Sequence, residues 1–125
     1  MFRTGLIAAT LMTASLTAVP ASAEPAYDPS AIYHFSGRQC PDNSLCIYKD
    51  IEFNGGGVSF ERGDSLPNLN NVRMNDMMSS WSNDSGVTCY WYPHADYQGT
   101  AHDMRNRFRV NLPGNENDTA SSIRC

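Results

Sequence analysis

The chain has 125 residues, with nine basic and thirteen acidic side chains and a formal net charge of −4 at pH 7. This length suits a single domain with one modest core. The acidic balance argues against nucleic acid or an anionic membrane surface as a partner, and after the N-terminal region no segment approaches the ~20 apolar residues of a membrane span.

The N-terminus has the pattern of a secretory signal peptide. Arg3 gives a positive start, residues 5–19 form an apolar run, and residues 21–23 read A-S-A, a small-x-small cleavage site. We therefore predict a signal peptide over residues 1–23 and a secreted mature chain of 125 − 23 = 102 residues. Residues 24–39 contain two prolines and no periodicity, which indicates an extended leader.

All four cysteines lie in the predicted exported part. An even number of cysteines in a small secreted domain indicates two disulfides rather than a metal site or a nucleophile. Four cysteines allow three pairings, and among these we favour Cys40 with Cys46 and Cys89 with Cys125.

Short apolar alternations begin at Leu45. They occupy residues 45–48, 58–60 and 87–92 and are separated by clusters of Gly, Asn, Asp and Pro. Short strands with regular turn signals predict an all-β sandwich or barrel. Residues 53–57 and 97–99 supply glycines that tolerate a positive φ, as tight hairpin corners need.

Two landmarks recur along the chain in the same order. The pattern aromatic-x4-aromatic-x-Gly begins at Tyr48 and again at Tyr92, a displacement of 92 − 48 = 44 residues. The hexamer N-D-x-x-S-S occupies residues 75–80 and 117–122, a displacement of 117 − 75 = 42 residues. We infer a tandem duplication of a unit of about forty residues.

The repeated hexamer has the chemistry of a calcium loop. Carboxylate, hydroxyl and loop carbonyl oxygens are the hard ligands that Ca²⁺ prefers, and neither hexamer holds an imidazole or a thiolate for zinc or copper. One copy alone would indicate only a turn, because Asn, Asp and Ser are ordinary turn residues. Two copies, each following an aromatic corner, favour a duplicated site.

Together the landmarks resemble the βγ-crystallin superfamily, in which each Greek-key motif carries the aromatic corner. Calcium-binding members add a loop reading Asn/Asp-Asn/Asp-x-x-Ser/Thr-Ser. The resemblance extends over about residues 45–125. It implies an all-β, βγ-crystallin-like sandwich of two tandem Greek-key motifs, at about 45–83 and 87–125, in a domain spanning 40–125. It also implies two Ca²⁺ sites.

The resemblance assigns ligand roles by position. The implied ligands are the hydroxyls of Ser79 and Ser121, the backbone carbonyls of Met77 and Thr119, the carboxylates of Asp76 and Asp118, and corner-turn carbonyls near Ile51 and Ala95. Each carboxylate is expected to reach the site built mainly by the other motif, so that calcium would fasten the two halves together. Ser80 and Ser122 are expected to hydrogen-bond the loops to the strands.

A narrower resemblance is to the secreted peptidase-inhibitor family of actinobacteria, which has this fold and includes a metalloproteinase inhibitor. It rests on the signal peptide, the C-P-x-x-x-x-C segment from Cys40 to Cys46, the two corners and the ending S-S-I-R-C. It implies a protein that is not an enzyme and that blocks an extracellular protease through a rigid, disulfide-braced loop. Cys89 and Cys125 lie too far apart in sequence to close a second short loop.

Other interpretations stay open beside the inhibitor. They are a calcium-stabilised structural or envelope protein and a toxin-like secreted effector. No H-E-x-x-H or G-x-S-x-G pattern supports a hydrolase, and we expect a monomer.

Two sets of side chains complete the sequence predictions. Arg105, Arg107 and Arg109 alternate, which predicts one strand face that is either a solvated edge or a docking patch for an acidic partner. The rings of Trp81, Trp91, Phe60 and Phe108 are predicted to lie in the core rather than in a carbohydrate-binding strip.

Overall fold

Two antiparallel sheets make up the fold in the computed structural model, which describes residues 32–125. The strands are β1 (Tyr33–Phe35), β2 (Leu45–Asp50), β3 (Asn54–Phe60), β4 (Ser65–Leu66), β5 (Ser80–Asn83), β6 (Cys89–Tyr92), β7 (His102–Met104), β8 (Arg109–Asn111) and β9 (Ser122–Arg124). Two short 3-10 helices, Leu69–Val72 and Ala95–Tyr97, lie in the connections. The predicted signal peptide at 1–23 lies outside the described residues.

The two halves of the chain exchange one strand each. The larger sheet has the order β1-β3-β2-β5-β8, and the smaller sheet has the order β4-β9-β6-β7. Thus β4 of the first half pairs with the second half, and β8 of the second half pairs with the first. The predicted all-β sandwich of two Greek keys is confirmed, and neither half completes its sheet alone.

Alternation along the strands decides which side chains enter the core. In the larger sheet Ile47, Trp81 and Val110 lie side by side on the face that packs into the main core. Cys46, Ser82 and Arg109 form the next row, on the outer face. The smaller sheet contributes Trp91 and Ile123 to the same core. Among residues 32–125 no helix is long and apolar enough to cross a membrane.

Three of the four rings predicted for the core are buried there, and the fourth is not. Trp81, Trp91 and Phe60 are each at most 4% exposed, whereas Phe108 is 51% exposed. Phe108 lies in a turn, where its amide donates to the Arg105 carbonyl oxygen at 3.2 Å. The turn is needed because β7 and β8 belong to different sheets.

Because of this turn, the prediction that three arginines share one strand face is wrong. Residues 105–108 are not in a strand, and Arg107 has a left-handed backbone with φ 69°. Only Arg109 lies on β8. The three guanidiniums therefore do not share one strand face.

The sheet begins earlier than the sequence predicts. Tyr33–Phe35, inside the predicted leader 24–39, pairs with β3 as an antiparallel edge strand. Phe35 is 8% exposed, and its ring meets the Tyr48 ring edge-on with centroids 5.1 Å apart. Three residues are too few to show the period-2 alternation from which a strand is recognised.

Both disulfides form in the favoured pairing. The structure joins Cys40 to Cys46 and Cys89 to Cys125, with Cα–Cα distances of 6.0 and 4.3 Å. The first holds the loop after β1 against the outer face of the larger sheet. The second ties the C-terminus to the start of β6.

Gly57 is predicted to be essential for the pairing of β2 with β3. A Cβ at this position would overlap the Ile47 carbonyl oxygen, a backbone atom that cannot give way without moving β2. We expect Gly57→Ala to lower the free energy of unfolding by about 1–3 kcal/mol, measured by urea denaturation. Gly114→Ala is the control, because no atom lies within 4 Å of the added carbon. Equal midpoints for the two variants would contradict this role.

Candidate metal centre

The two hexamers meet through a reciprocal pair of backbone hydrogen bonds. The Asp76 amide donates to the Ala120 carbonyl oxygen, and the Asp118 amide donates to the Met78 carbonyl oxygen, each at 3.0 Å. Met78 and Ala120 are fully buried, whereas both aspartates are exposed. The two loops therefore lie side by side, held by hydrogen bonds to the carbonyls of buried residues, with both aspartates at the surface.

Each loop turns at its aspartate. Asp76 and Asp118 have left-handed backbones with φ of 54° and 58°. Asp tolerates this region better than most residues because its short polar side chain can hydrogen-bond locally. The Asp at the second position of the hexamer thus serves the turn as well as placing a carboxylate.

The fifth residue of each hexamer is tied to the corner of its own half. The Ser79 amide donates to the Tyr48 carbonyl oxygen at 2.9 Å, and the Ser121 amide donates to the Tyr92 carbonyl oxygen at 2.8 Å. Tyr48 and Tyr92 are the first aromatic residues of the two corner patterns. The two sequence landmarks are therefore in direct contact in both halves.

The sixth residue bridges the corner turn. The Ser80 hydroxyl donates to the Asp50 carbonyl oxygen at 2.6 Å and accepts from the Phe53 amide at 3.1 Å. In the second half the Ser122 hydroxyl donates to the His94 carbonyl oxygen at 2.6 Å and accepts from the Tyr97 amide at 3.1 Å. The expected loop-to-strand role of both serines is confirmed.

Each carboxylate lies beside the hydroxyl of the other hexamer. The Ser79 hydroxyl is 3.3 Å from Asp118 Oδ1 and 2.8 Å from the Lys49 carbonyl oxygen. The Ser121 hydroxyl is 3.4 Å from Asp76 Oδ1. Two clusters of oxygen atoms therefore form across the pseudo-symmetric contact between the loops.

The remaining predicted ligands are backbone carbonyls that lie close in sequence to residues of these clusters or to the corners. Ile51 and Met77 are 59% and 39% exposed, whereas their counterparts in the second half are the smaller Ala95 and Thr119. The Ala95 carbonyl oxygen accepts from the Gln98 amide at 3.3 Å. The Lys49 carbonyl, which accepts from the Ser79 hydroxyl, is not among the predicted ligands, because the resemblance places the corner carbonyl near Ile51.

The charges and hydrogen bonds around the two oxygen clusters limit which atoms could bind a cation. Between residues 32 and 125 the one ion pair within 4.0 Å joins His102 and Glu116, so no cationic side chain neutralises Asp76 or Asp118. That part of the chain also has no group of three or more His, Cys, Asp or Glu placed to hold a metal. The buried Asn117 Oδ1, next to Asp118, has no hydrogen-bond partner. A cation here would depend on hydroxyl, carbonyl and single carboxylate oxygens.

Removal of either bridging hydroxyl is predicted to destabilise the domain. Ser80 and Ser122 are fully buried. Ser80→Ala would leave the Phe53 amide and the Asp50 carbonyl without their shared hydrogen-bond partner, and Ser122→Ala would do the same in the second half. We expect each variant to lose about 1–3 kcal/mol of unfolding free energy. The exposed Ser36→Ala should stay within about 0.5 kcal/mol of the parent in the same denaturation series. A loss confined to one of the two halves would show that they are not equivalent.

Solved structures of βγ-crystallin domains are similar to this chain. One, from work on the evolution of the eye-lens βγ-crystallin domain fold, has a TM-score of 0.64 at 17% identity and covers 74% of this chain and 94% of its own. A βγ-crystallin from Ciona intestinalis has a TM-score of 0.57 at 24% identity, with coverage of 65% and 96%. A double-mutant βγ-crystallin domain from Clostridium beijerinckii has a TM-score of 0.55 at 30% identity, with coverage of 65% and 93%.

A model of the peptidase inhibitor family I36 matches residues 35–104, which is 104 − 35 + 1 = 70 of the 125 residues. The match begins in β1 and ends in β7, so it includes the first hexamer and both corners. A search of the curated proteins finds no significant match. The chain has the βγ-crystallin fold and belongs to peptidase inhibitor family I36, a family of inhibitors rather than of enzymes.

Proposed function

We propose that this protein is a secreted, calcium-binding inhibitor of an extracellular protease. Membership of a peptidase inhibitor family is the observation that carries the inhibitory part. Two disulfides in a small domain support an oxidising, extracellular environment. The oxygen clusters between the hexamers support the calcium part.

The residues present fit Ca²⁺ in their chemistry. The first site would take the Ser79 hydroxyl, the Asp118 carboxylate, the Met77 carbonyl and a carbonyl of the corner turn near Ile51. The second would take Ser121, Asp76, Thr119 and Ala95 in the same roles. All of these donors are oxygens, as a hard cation requires. Bound calcium would neutralise one carboxylate from each half and so hold the two halves together.

The expected stabilisation is large for a domain of this size. Extracellular modules bind Ca²⁺ with modest affinity, and at a free concentration of about 100 times Kd a single site adds about 2.7 kcal/mol. Small domains are stable by only about 5–15 kcal/mol in total. Calcium would therefore supply a substantial fraction of the stability outside the cell.

Because the carboxylates cross, each aspartate is predicted to control the site of the other half. Isothermal titration of the mature protein with Ca²⁺ should show two sites. Asp118→Ala should remove the site at Ser79, Asp76→Ala should remove the site at Ser121, and the double variant should bind no Ca²⁺. Alanine is used because asparagine would keep a side-chain oxygen that the calcium-loop pattern accepts at this position. Each lost site should lower the calcium-dependent rise in Tm by about 10–20 °C.

Asp103→Ala is the control for this titration. Asp103 is an exposed carboxylate on β7 whose backbone pairs with Tyr90 rather than with either hexamer, and its variant should keep both sites and the full rise in Tm. Unchanged titration in the Asp76/Asp118 double variant would refute the ligand assignment.

The loop closed by Cys40 and Cys46 is the element best suited to insert into a protease. Asp42 and Asn43 are exposed at its tip, and the Ser44 hydroxyl donates to the Asp42 carbonyl oxygen at 3.1 Å. The disulfide and this hydrogen bond fix the loop before binding, which reduces the entropy lost on association. Within residues 32–125 it is the one short loop closed by a disulfide.

Inhibition is predicted to be stoichiometric and to depend on this loop. Purified protein should titrate the activity of a thermolysin-type metalloprotease, or of another enzyme in a panel of secreted metallo- and serine proteases. Asp42→Arg should raise the inhibition constant at least about tenfold, because a changed charge at the tip alters the buried contact. Asp103→Arg should leave inhibition unchanged. No inhibition across the panel would favour the calcium-stabilised structural protein or the secreted effector instead.

A further inference from the structure

The outer face of the larger sheet, which points away from the main core, contains a groove. Its floor is formed by the outward-facing row that contains Ser82. One wall is the loop of residues 37–43, held in place by the Cys40–Cys46 disulfide, and the other is the turn of residues 105–108 with β8. The cavity volume is about 730 Å³, enough for a short peptide segment.

The floor of the groove presents two hydroxyl groups. Tyr48 and Ser82 are 2% and 6% exposed, and their hydroxyl oxygens are 3.4 Å apart. The Ser82 hydroxyl has a further contact with Cys40 Sγ at 4.0 Å, which is weak. Since hydroxyl protons can rotate, this pair can donate to a ligand in the groove.

Three arginines also line the groove. Arg38, Arg107 and Arg109 all line the groove, and none of them forms an ion pair within 4.0 Å in the described part of the chain. Arg109 is held over the Phe53 ring, with its guanidinium carbon 4.3 Å from the ring centroid. Three basic residues therefore line one concave surface of a protein whose net charge is −4.

The wall that carries Arg107 is fixed before any ligand binds. The Arg107 amide donates to the Asn83 carbonyl oxygen at 2.6 Å. The Asn106 side chain accepts from the Gly86 amide at 2.9 Å, which fastens the turn to the segment after β5. Contacts within the domain thus position the backbone that carries Arg107.

We propose that this groove binds an acidic peptide segment of a protein partner. A planar guanidinium pairs with a carboxylate through two parallel hydrogen bonds, which makes Arg the residue suited to recognise Glu or Asp side chains. The groove is also lined by Asp42 and Asp84, whose negative charges limit how many acidic groups it can take up. The same carboxylates repel a polyanion, so the mixed charge favours a peptide over a sulfated polysaccharide. Binding here goes beyond the proposed function, because it requires neither calcium nor a protease.

The probe is the capped tetrapeptide acetyl-Ala-Glu-Glu-Ala-amide, compared with its Gln-Gln counterpart. Titrated into the ¹⁵N-labelled mature protein, the acidic peptide should cause saturable NMR shifts at Ser82, Arg107 and neighbouring groove residues. The Gln-Gln peptide should bind at least about tenfold more weakly, since it lacks the carboxylates. Equal affinity for the two peptides would overturn the assignment.

Variants separate the groove from general charge effects. Arg38→Gln and Arg107→Gln should each weaken binding of the acidic peptide by about tenfold. Arg105→Gln is the matched control, because Arg105 belongs to the same turn but does not line this groove. An equal loss in Arg105→Gln would show that only net charge matters, and would overturn the assignment.

A variant that is expected to bind the acidic peptide more tightly gives a test that misfolding cannot explain. Asp84→Asn removes a like charge from the exposed rim and should strengthen binding of the acidic peptide several-fold. A heparin-derived sulfated hexasaccharide serves as the competing ligand class. If it binds more tightly than the peptide and displaces it, or if Asp84→Asn weakens peptide binding, the groove is not a site for acidic peptides.

Discussion

The reciprocal hydrogen bonds between the two hexamers are the constraint on which the rest of the structure depends. Asp76 and Asp118 donate across the pseudo-symmetric contact to the residues just before Ser121 and Ser79. Because the donors are backbone amides, the crossing is fixed whatever the side chains bind. It places each carboxylate beside the hydroxyl of the other half, and it acts together with the exchange of β4 and β8.

Much of this arrangement could be predicted from the sequence because it is local and occurs twice. The corner and the hexamer are each a pattern of a few consecutive residues, and their repetition distinguishes them from ordinary turn residues. The outcome at residues 104–109 shows where local patterns fail. M-R-N-R-F-R alternates like a strand, yet the chain must leave one sheet and enter the other, so a turn forms there. Such a change of sheet is a property of the whole topology and leaves no mark on the local alternation.

The two halves have the same ring contacts at their corners but differ in the elements added at the surface. Both corners place two aromatic rings edge-to-face, with centroids 5.9 and 5.7 Å apart, and both have an arginine over the second ring. Within residues 32–125 only the first half carries an extra edge strand and a short disulfide loop. The groove exists because of these additions to one member of an otherwise symmetric pair.

The first oxygen cluster and the groove are connected through one corner. Ser79, in the first oxygen cluster, is followed by Ser80, whose hydroxyl accepts from the Phe53 amide. The Phe53 ring in turn supports the Arg109 guanidinium, which lines the groove. These contacts link Arg109 to the same corner turn that the proposed first calcium site would use. A cation that orders this turn would therefore also order a charge in the groove, without any movement of the sheets.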